Sequence, residues 1–241
     1  MNTPLFSNKI CLVTGATRGI GRAIAAMLSQ HGATVVICGR DQLKTTTAAV
    51  ELASETSGKV EGKAADVRAH AEVSELFRFI DSHFGGLDIL VNNAGVGVFS
   101  PVAKLSIEDW EYTIGTNLTG VFHCCREALP RLHARGGGHI VNISSLAGKN
   151  PFAGGAAYNA SKFALNGFSE ALMLDERYEN VRVSYIMPGS VATAFSPRSA
   201  AADDSWKIAP QDIADIVRLT LAMPERTLIS RVEVRPSRPK R

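Results

Sequence analysis

Tyr158 and Lys162 stand four residues apart near the start of a stretch, 157–178, whose apolar spacing predicts a helix. Both side chains therefore fall on one helix face. A phenol with a pKa of about 10 is only about 0.1% ionised at neutral pH, so alone it is a poor base. Lowering that value by about three units takes roughly 4 kcal/mol of differential stabilisation. An ammonium one turn away is a plausible source of part of it. Such a pair could trade a proton with an oxygen on a bound molecule. Taken singly, Tyr-x-x-x-Lys recurs by chance, usually as a surface pair.

A second chemistry sits near the start of the chain, at Thr14-Gly15-Ala16-Thr17-Arg18-Gly19-Ile20-Gly21. It follows an apolar run at 9–14, which reads as a strand, and opens a helix at 19–31. Glycines 15, 19 and 21 let the backbone turn tightly and approach a ligand closely. The helix N-terminus adds free N–H groups and partial positive charge, which suits the pyrophosphate of a nucleotide.

Positioning these groups requires a regular frame. Short β-branched runs at 34–38, 59–65, 87–91, 139–143, 181–186 and 228–234 alternate with helical stretches at 41–56, 69–84, 106–134, 157–178 and 210–222. Continuous apolar strands mean burial on both faces, and intervening helices force parallel connections. Right-handed crossovers then give an α/β, doubly wound (Rossmann) fold: a seven-stranded parallel sheet with helices on both faces. Ligands in such folds bind at the carboxyl ends of the strands. No repeat or linker divides the chain, so 1–241 reads as a single domain. The stretch 189–208 lacks a period and reads as an active-site lid.

Bulk composition narrows the alternatives. The 241 residues are 45% hydrophobic and 20% charged, as in a globular domain. Net charge is +3, but removing the four cations of the tail 235–241 (Arg235, Arg238, Lys240, Arg241) leaves about −1. That tail reads as a solvated, frayed end, and with no basic face nucleic acid is not an expected partner. Cys11, Cys38, Cys124 and Cys125 show no ligand spacing and read as buried thiols in a reducing compartment. The six histidines show no metal spacing either, so no metal is expected. Asn117, Asn142 and Asn159 each fit the glycosylation pattern. The N-terminus has no charged-then-apolar signal, and no apolar stretch approaches the ~18 residues of a membrane span. A cytoplasmic protein without membrane contact is expected.

The glycine spacing resembles the TGxxxGxG motif of the short-chain dehydrogenase/reductase family. The resemblance runs on through Asn92-Asn93-Ala94-Gly95, Asn117, Ser145, Tyr158-Asn159-Ala160-Ser161-Lys162 and Pro188-Gly189. It implies hydride transfer between a nicotinamide cofactor and a carbonyl or secondary alcohol. Tyr158 would be the acid/base, Lys162 its electrostatic partner and the holder of the nicotinamide ribose. Ser145, 13 residues before Tyr158, would hydrogen-bond the substrate oxygen, with neighbouring Ser144 as the competitor. Asn117 would anchor a water behind Lys162, serve as a backbone-bonding residue at a helix kink, or do both. Asn93, Ala94 and Gly95 would line the cofactor, Asp66 and Val67 its adenine, and Pro188, Gly189, Val191 and Thr193 its nicotinamide. An aspartate at 66 could equally cap the next helix.

Charge selects the cofactor. Users of NAD place an acid at the end of strand two, where it would repel a 2′-phosphate. This chain has Cys38-Gly39-Arg40 there, and Arg40 and Arg18 could fork onto that phosphate. NADP(H) is the expected cofactor.

The expected substrate pocket draws on Val98, Phe152, Phe195 and Ser145, with Val96, Phe99 and Leu146, and is mainly apolar. A small-molecule carbonyl or alcohol is the expected partner. The chain is similar to 3-oxoacyl-[acyl-carrier-protein] reductases but departs from them at Glu179-Asn180, where arginines receive the carrier, and at Val234-Arg235-Pro236. A general carbonyl reductase or alcohol dehydrogenase is at least as well supported. An NADPH-sensing regulator would lack the intact tetrad, and a serine hydrolase would need a GxSxG turn after a strand. By resemblance, a homodimer or homotetramer is expected.

Overall fold

The computed structural model describes residues 4–193, 195 and 204–239. Its frame is one seven-stranded sheet in the order β3-β2-β1-β4-β5-β6-β7, with every pairing parallel. The strands are β1 (Ile10–Thr14), β2 (Thr34–Gly39), β3 (Lys59–Ala64), β4 (Ile89–Asn92), β5 (Gly138–Ile143), β6 (Val181–Pro188) and β7 (Arg231–Val234). The helices are α1 (Gly19–Gln30), α2 (Gln42–Thr56), α3 (His70–Phe84), α4 (Ile107–Ile114), α5 (Gly120–Ala134), α6 (Ala156–Glu176) and α7 (Pro210–Leu221).

All five residues of β1 are buried, since helices cover both of its sides. Cys11 and Val13 point to one core with Ile24 and Leu28 of α1 and Val217 of α7. Ile10 and Leu12 point to the other, with Phe77 of α3, Leu132 of α5 and Leu165 of α6. Each such aliphatic side chain contributes about 1.5–3 kcal/mol on burial. The chain reverses its winding between β1 and β4, and a crevice opens at their carboxyl ends.

Two expectations change. The long helix at 106–134 is not one regular helix. Ser106 caps α4 through Asp109 N–H at 3.0 Å, and a π-helical turn, Gly115–Thr119, then joins α4 to α5. Strand seven begins at Arg231 rather than 228: its ladder with β6 starts at Tyr185 and Arg231, and the Ile229 carbonyl before it accepts the Ser184 hydroxyl instead. No helix among the described residues is long and apolar enough to cross a membrane. All four cysteines are free and buried, which pushes their thiols above the ordinary range.

Candidate active site

The glycine loop is fixed by Thr14 and Asn93. Thr14 Oγ1 accepts the N–H groups of Asn93 and Ala94, both at 3.0 Å. Asn93 Nδ2 donates to the carbonyls of Thr14 and Gly15, again at 3.0 Å. Gly15 has φ +64°, and a Cβ there would stand 2.7 Å from Ala94 Cα. At Gly21 a Cβ would stand 2.4 Å from Asn93 Nδ2, so glycine alone fits. The first turn of α1 holds no acid, and no side chain caps it. Its N–H groups and positive end are thus available to an anion.

The end of β2 excludes an acid sterically. A Cβ on Gly39 would lie 2.8 Å from both Thr17 Cγ2 and Thr45 Oγ1. Arg18 and Arg40, both exposed, border the cleft beside this gap, with Asp66 and Val67 across from them. Asp66 does not cap the next helix: the N-cap of α3 is Ala69. Asp66 instead accepts the Arg68 N–H at 3.0 Å, and the Arg68 guanidinium grips its carboxylate and lowers its pKa. The loop, the uncapped helix end and the two arginines fit a dinucleotide carrying a 2′-phosphate.

At the other end of the crevice Lys162 is buried, 5% exposed, and its ammonium donates to the Ile143 carbonyl at 2.9 Å. Burial lowers its pKa to about 8. Lys162 Nζ lies 5.9 Å from the centre of the Tyr158 ring. Burial raises the Tyr158 pKa, and a hydrogen bond with Ser145 works against that rise. In the chain without cofactor, desolvation sets the direction of the shift; the expected depression draws on the oxidised nicotinamide ring together with Lys162. In this environment Tyr158 is a protonated phenol at neutral pH.

Ser145 Oγ accepts the Ala147 N–H at 3.1 Å and starts the 3₁₀ turn Leu146–Gly148. Ser144 is buried and donates to Asn166 Oδ1 at 2.5 Å, so its hydroxyl is engaged elsewhere. Asn117, fully buried, sits on the π-helical turn and bonds both backbone groups of Val96 and, at 3.0 Å, Ser161 Oγ. It is the backbone-bonding residue of a helix irregularity. With Asn142 and Asn159 it is also buried and hydrogen-bonded, so the folded chain presents none of the three to a glycan.

A family model for short chain dehydrogenases matches residues 9–204. The chain belongs to the short-chain dehydrogenase family. An uncharacterised oxidoreductase of Staphylococcus aureus is 34% identical over 96% of this chain and 99% of its own length. One from Staphylococcus epidermidis is also 34% identical, over 95% and 97%. A metagenomic short-chain oxidoreductase in complex with NADP superposes with a TM-score of 0.85 at 38% identity, covering 98% of this chain and 100% of that one. An alcohol dehydrogenase of the archaeon Thermococcus sibiricus, complexed with 5-hydroxy-NADP, gives 0.89 at 28%, covering 97% and 99%. Actinorhodin polyketide ketoreductase with NADPH gives 0.87 at 30%, covering 98% of both.

In this short-chain dehydrogenase one cleft of about 1600 Å³ runs along the carboxyl ends of the strands. It brings together Gly15, Thr17, Arg18, Gly19, Ile20, Arg40, Asp66, Val67, Asn93, Ala94 and Gly95 with Ser145, Tyr158, Lys162, Pro188, Gly189, Val191, Thr193, Phe152 and Phe195. Gly21 and Asn117 support it from behind, and Val98 is not on its lining. Ile208 pairs with Val191 at the base of the expected lid. Residues 194 and 196–203 of that lid, and 240–241 of the tail, lie outside the described residues. Contrary to expectation, the described part of the tail is not simply frayed: Arg235, Pro236 and Pro239 border the cleft.

Three positioning residues escaped sequence reasoning. Thr14 joins the glycine loop to the segment after β4. Asn159 donates to the Ala147 carbonyl at 2.7 Å, and Asn166 to that of Gly148 at 3.0 Å, together tying α6 to the turn that carries Ser145. Of these, Thr14 and Asn159 stand inside the motifs themselves, which was the available signal.

Proposed function

We propose that this oxidoreductase uses NADP(H) and interconverts an apolar carbonyl compound with its secondary alcohol. The observation that carries the reading is the grouping of Tyr158, Ser145 and buried Lys162 in the same cleft as the glycine loop and the two arginines. The three NADP-bound or NADPH-bound relatives support the choice of cofactor.

Gly15, Gly19 and the N-terminus of α1 hold the pyrophosphate, Arg18 and Arg40 the 2′-phosphate, and Lys162 the nicotinamide ribose. Asp66, Val67, Asn93, Ala94 and Gly95 line the adenosine half, and Pro188, Gly189, Val191 and Thr193 the nicotinamide half. When bound, the nicotinamide supplies or accepts the hydride. Ser145 orients the substrate oxygen and stabilises its developing charge. Tyr158, kept protonated by burial, gives its proton to that oxygen in the reducing direction. Asn117 holds the Val96 backbone at the edge of the cleft and anchors the solvent path that reprotonates Lys162 and Tyr158.

The runner-up, a 3-oxoacyl-carrier-protein reductase, shares this machinery, but this chain has Glu179-Asn180 where such a reductase would present cations to the carrier. Exposed Ile107 and Trp110 on α4, Phe122 on α5 and Phe163 on α6 support a homo-oligomer. The test is NADPH consumption over a panel of ketones, aldehydes, quinones and 3-oxoacyl thioesters. Reduction of apolar ketones is expected. Turnover confined to acyl thioesters supports the runner-up, and none on any carbonyl contradicts both.

A further inference from the structure

Three phenylalanines from three separate loops gather around Tyr158. The Phe99 ring stands edge-on to it, 5.5 Å away at 75°, and Phe195 lies 5.9 Å from it on a tilted approach. Phe152 lies 5.7 Å from Phe99. Gly97 makes room for this arrangement, since a Cβ there would fall 2.7 Å from the Phe195 ring and 2.8 Å from that of Phe99. The three rings line the cleft yet stay 45%, 46% and 41% exposed (Phe99, Phe152, Phe195), so each presents uncovered aromatic surface to whatever binds.

Among the described residues, the cations lining the same end are committed within the chain. Lys207 pairs with Asp204 at 2.6 Å and Arg235 with Glu233 at 3.1 Å, while Lys162 donates to a backbone carbonyl. A carboxylate or phosphate on the substrate could pair with one of these described cations only by breaking its contact. An uncharged planar ring, by contrast, can offer its edge and face to three partners already set at edge-to-face and tilted spacings.

Resting on the proposed carbonyl–alcohol reaction, we infer that the substrate class is the uncharged aryl carbonyl, in which C=O is borne directly on an aromatic ring. In reduction the carbonyl π bond breaks, its carbon gains the hydride from NADPH and its oxygen gains the Tyr158 proton. A 1-aryl alcohol and NADP⁺ result, and Tyr158 recovers its proton from solvent.

The experiment compares kcat/KM for acetophenone and cyclohexyl methyl ketone, which share one carbon skeleton and differ in ring saturation. Conjugation makes the aryl ketone the less electrophilic of the two, so a preference for it must come from the site. Two ring contacts correspond to about a tenfold advantage for acetophenone. Phe99→Leu and Phe152→Leu should each shrink that advantage, and both positions are exposed enough for the fold to persist. Equal or inverted kcat/KM in the parent enzyme overturns the inference, as does an advantage that survives both substitutions. Activity on the cyclohexyl ketone alone leaves the broader carbonyl reading intact, whereas no NADPH oxidation with any carbonyl removes that reading too.

An independent observation concerns the opposite end. Arg40 Nη1 donates to the Tyr112 hydroxyl at 2.8 Å, and the Arg40 and Arg68 guanidinium carbons lie 5.7 and 4.9 Å from the centre of the Tyr112 ring. Asp66, the carboxylate that would otherwise draw Arg40 inward, is occupied by Arg68. Arg40 is thus held by a neutral hydroxyl, which fixes its position and leaves its charge for an anion. The geometry points to Tyr112 as a positioning residue for selection of NADPH over NADH. Tyr112→Phe keeps the ring but loses the hydroxyl, and should lower the NADPH-to-NADH ratio of kcat/KM by about fivefold, through KM for NADPH rather than kcat. An unchanged ratio, or a loss confined to kcat, overturns the assignment.

Discussion

The side-chain amide of Asn117 closes on both backbone groups of Val96, accepting its N–H at 2.8 Å and donating to its carbonyl at 2.9 Å. The segment after β4 has no strand partner at this point, so a side chain from the π-helical turn satisfies its backbone. A buried donor or acceptor left unpaired costs about 1–3 kcal/mol. Asn117→Ala should therefore lose about 2–4 kcal/mol, read as a lower urea midpoint. A midpoint within error of the parent would show that the pairing contributes nothing.

On the proposed reading, Arg40 selects the cofactor. Its loss removes a charge-assisted contact worth about 1.5–3 kcal/mol, or roughly 10–100-fold. Arg40→Ala should raise KM for NADPH by that factor while moving KM for NADH by less than about threefold. Parallel losses with the two cofactors would indicate general damage instead.

What could be read in advance was local. The four-residue spacing of Tyr158 and Lys162, the glycine loop and the alternation of strands and helices all follow from short-range pattern, and the structure brings the two motifs to one cleft. Contacts between residues far apart could not be read: Asn117 meets Val96 across 21 positions and Arg40 meets Tyr112 across 72. Nor could the desolvation of the Tyr158 phenol, which raises its pKa in the cofactor-free chain, be read from spacing. Strand seven starts later than expected because apolar character begins at 228, before the first residue that pairs with β6, Arg231.

Lys162 sets a pH limit. Its folded pKa, about 8, lies below the free value of 10.5. Reductase kcat/KM should fall above pH about 8 as this charge is lost. Between the two values the unfolded chain holds the extra proton, so stability of the cofactor-free protein should rise with pH across that window. Lys162→Met should abolish turnover yet gain about 1–2 kcal/mol of stability at pH 7, since it removes a desolvated charge. A destabilised Met variant would contradict this.

His139 governs the acid side. It is buried, its Nε2 lies 2.8 Å from Ser184 Oγ, and burial, with help from Arg182, lowers its pKa to about 3. The unfolded chain takes up this proton first, so stability is present above pH about 6.5 and drains away as pH falls toward 3. The cost at pH 5 is about 2 kcal/mol. His139→Gln should flatten the midpoint-versus-pH curve between pH about 6.5 and 4; an unchanged slope would assign the acid sensitivity to other groups.

The proposed reaction depends on the phenol of Tyr158 as proton donor, and Tyr158→Phe tests it most directly. Reductase kcat on the best carbonyl in the panel should drop by about 10²–10⁴-fold, while NADPH titrated by fluorescence binds within about threefold of the parent affinity. A variant that keeps a tenth or more of parental kcat would show that the proton comes from elsewhere.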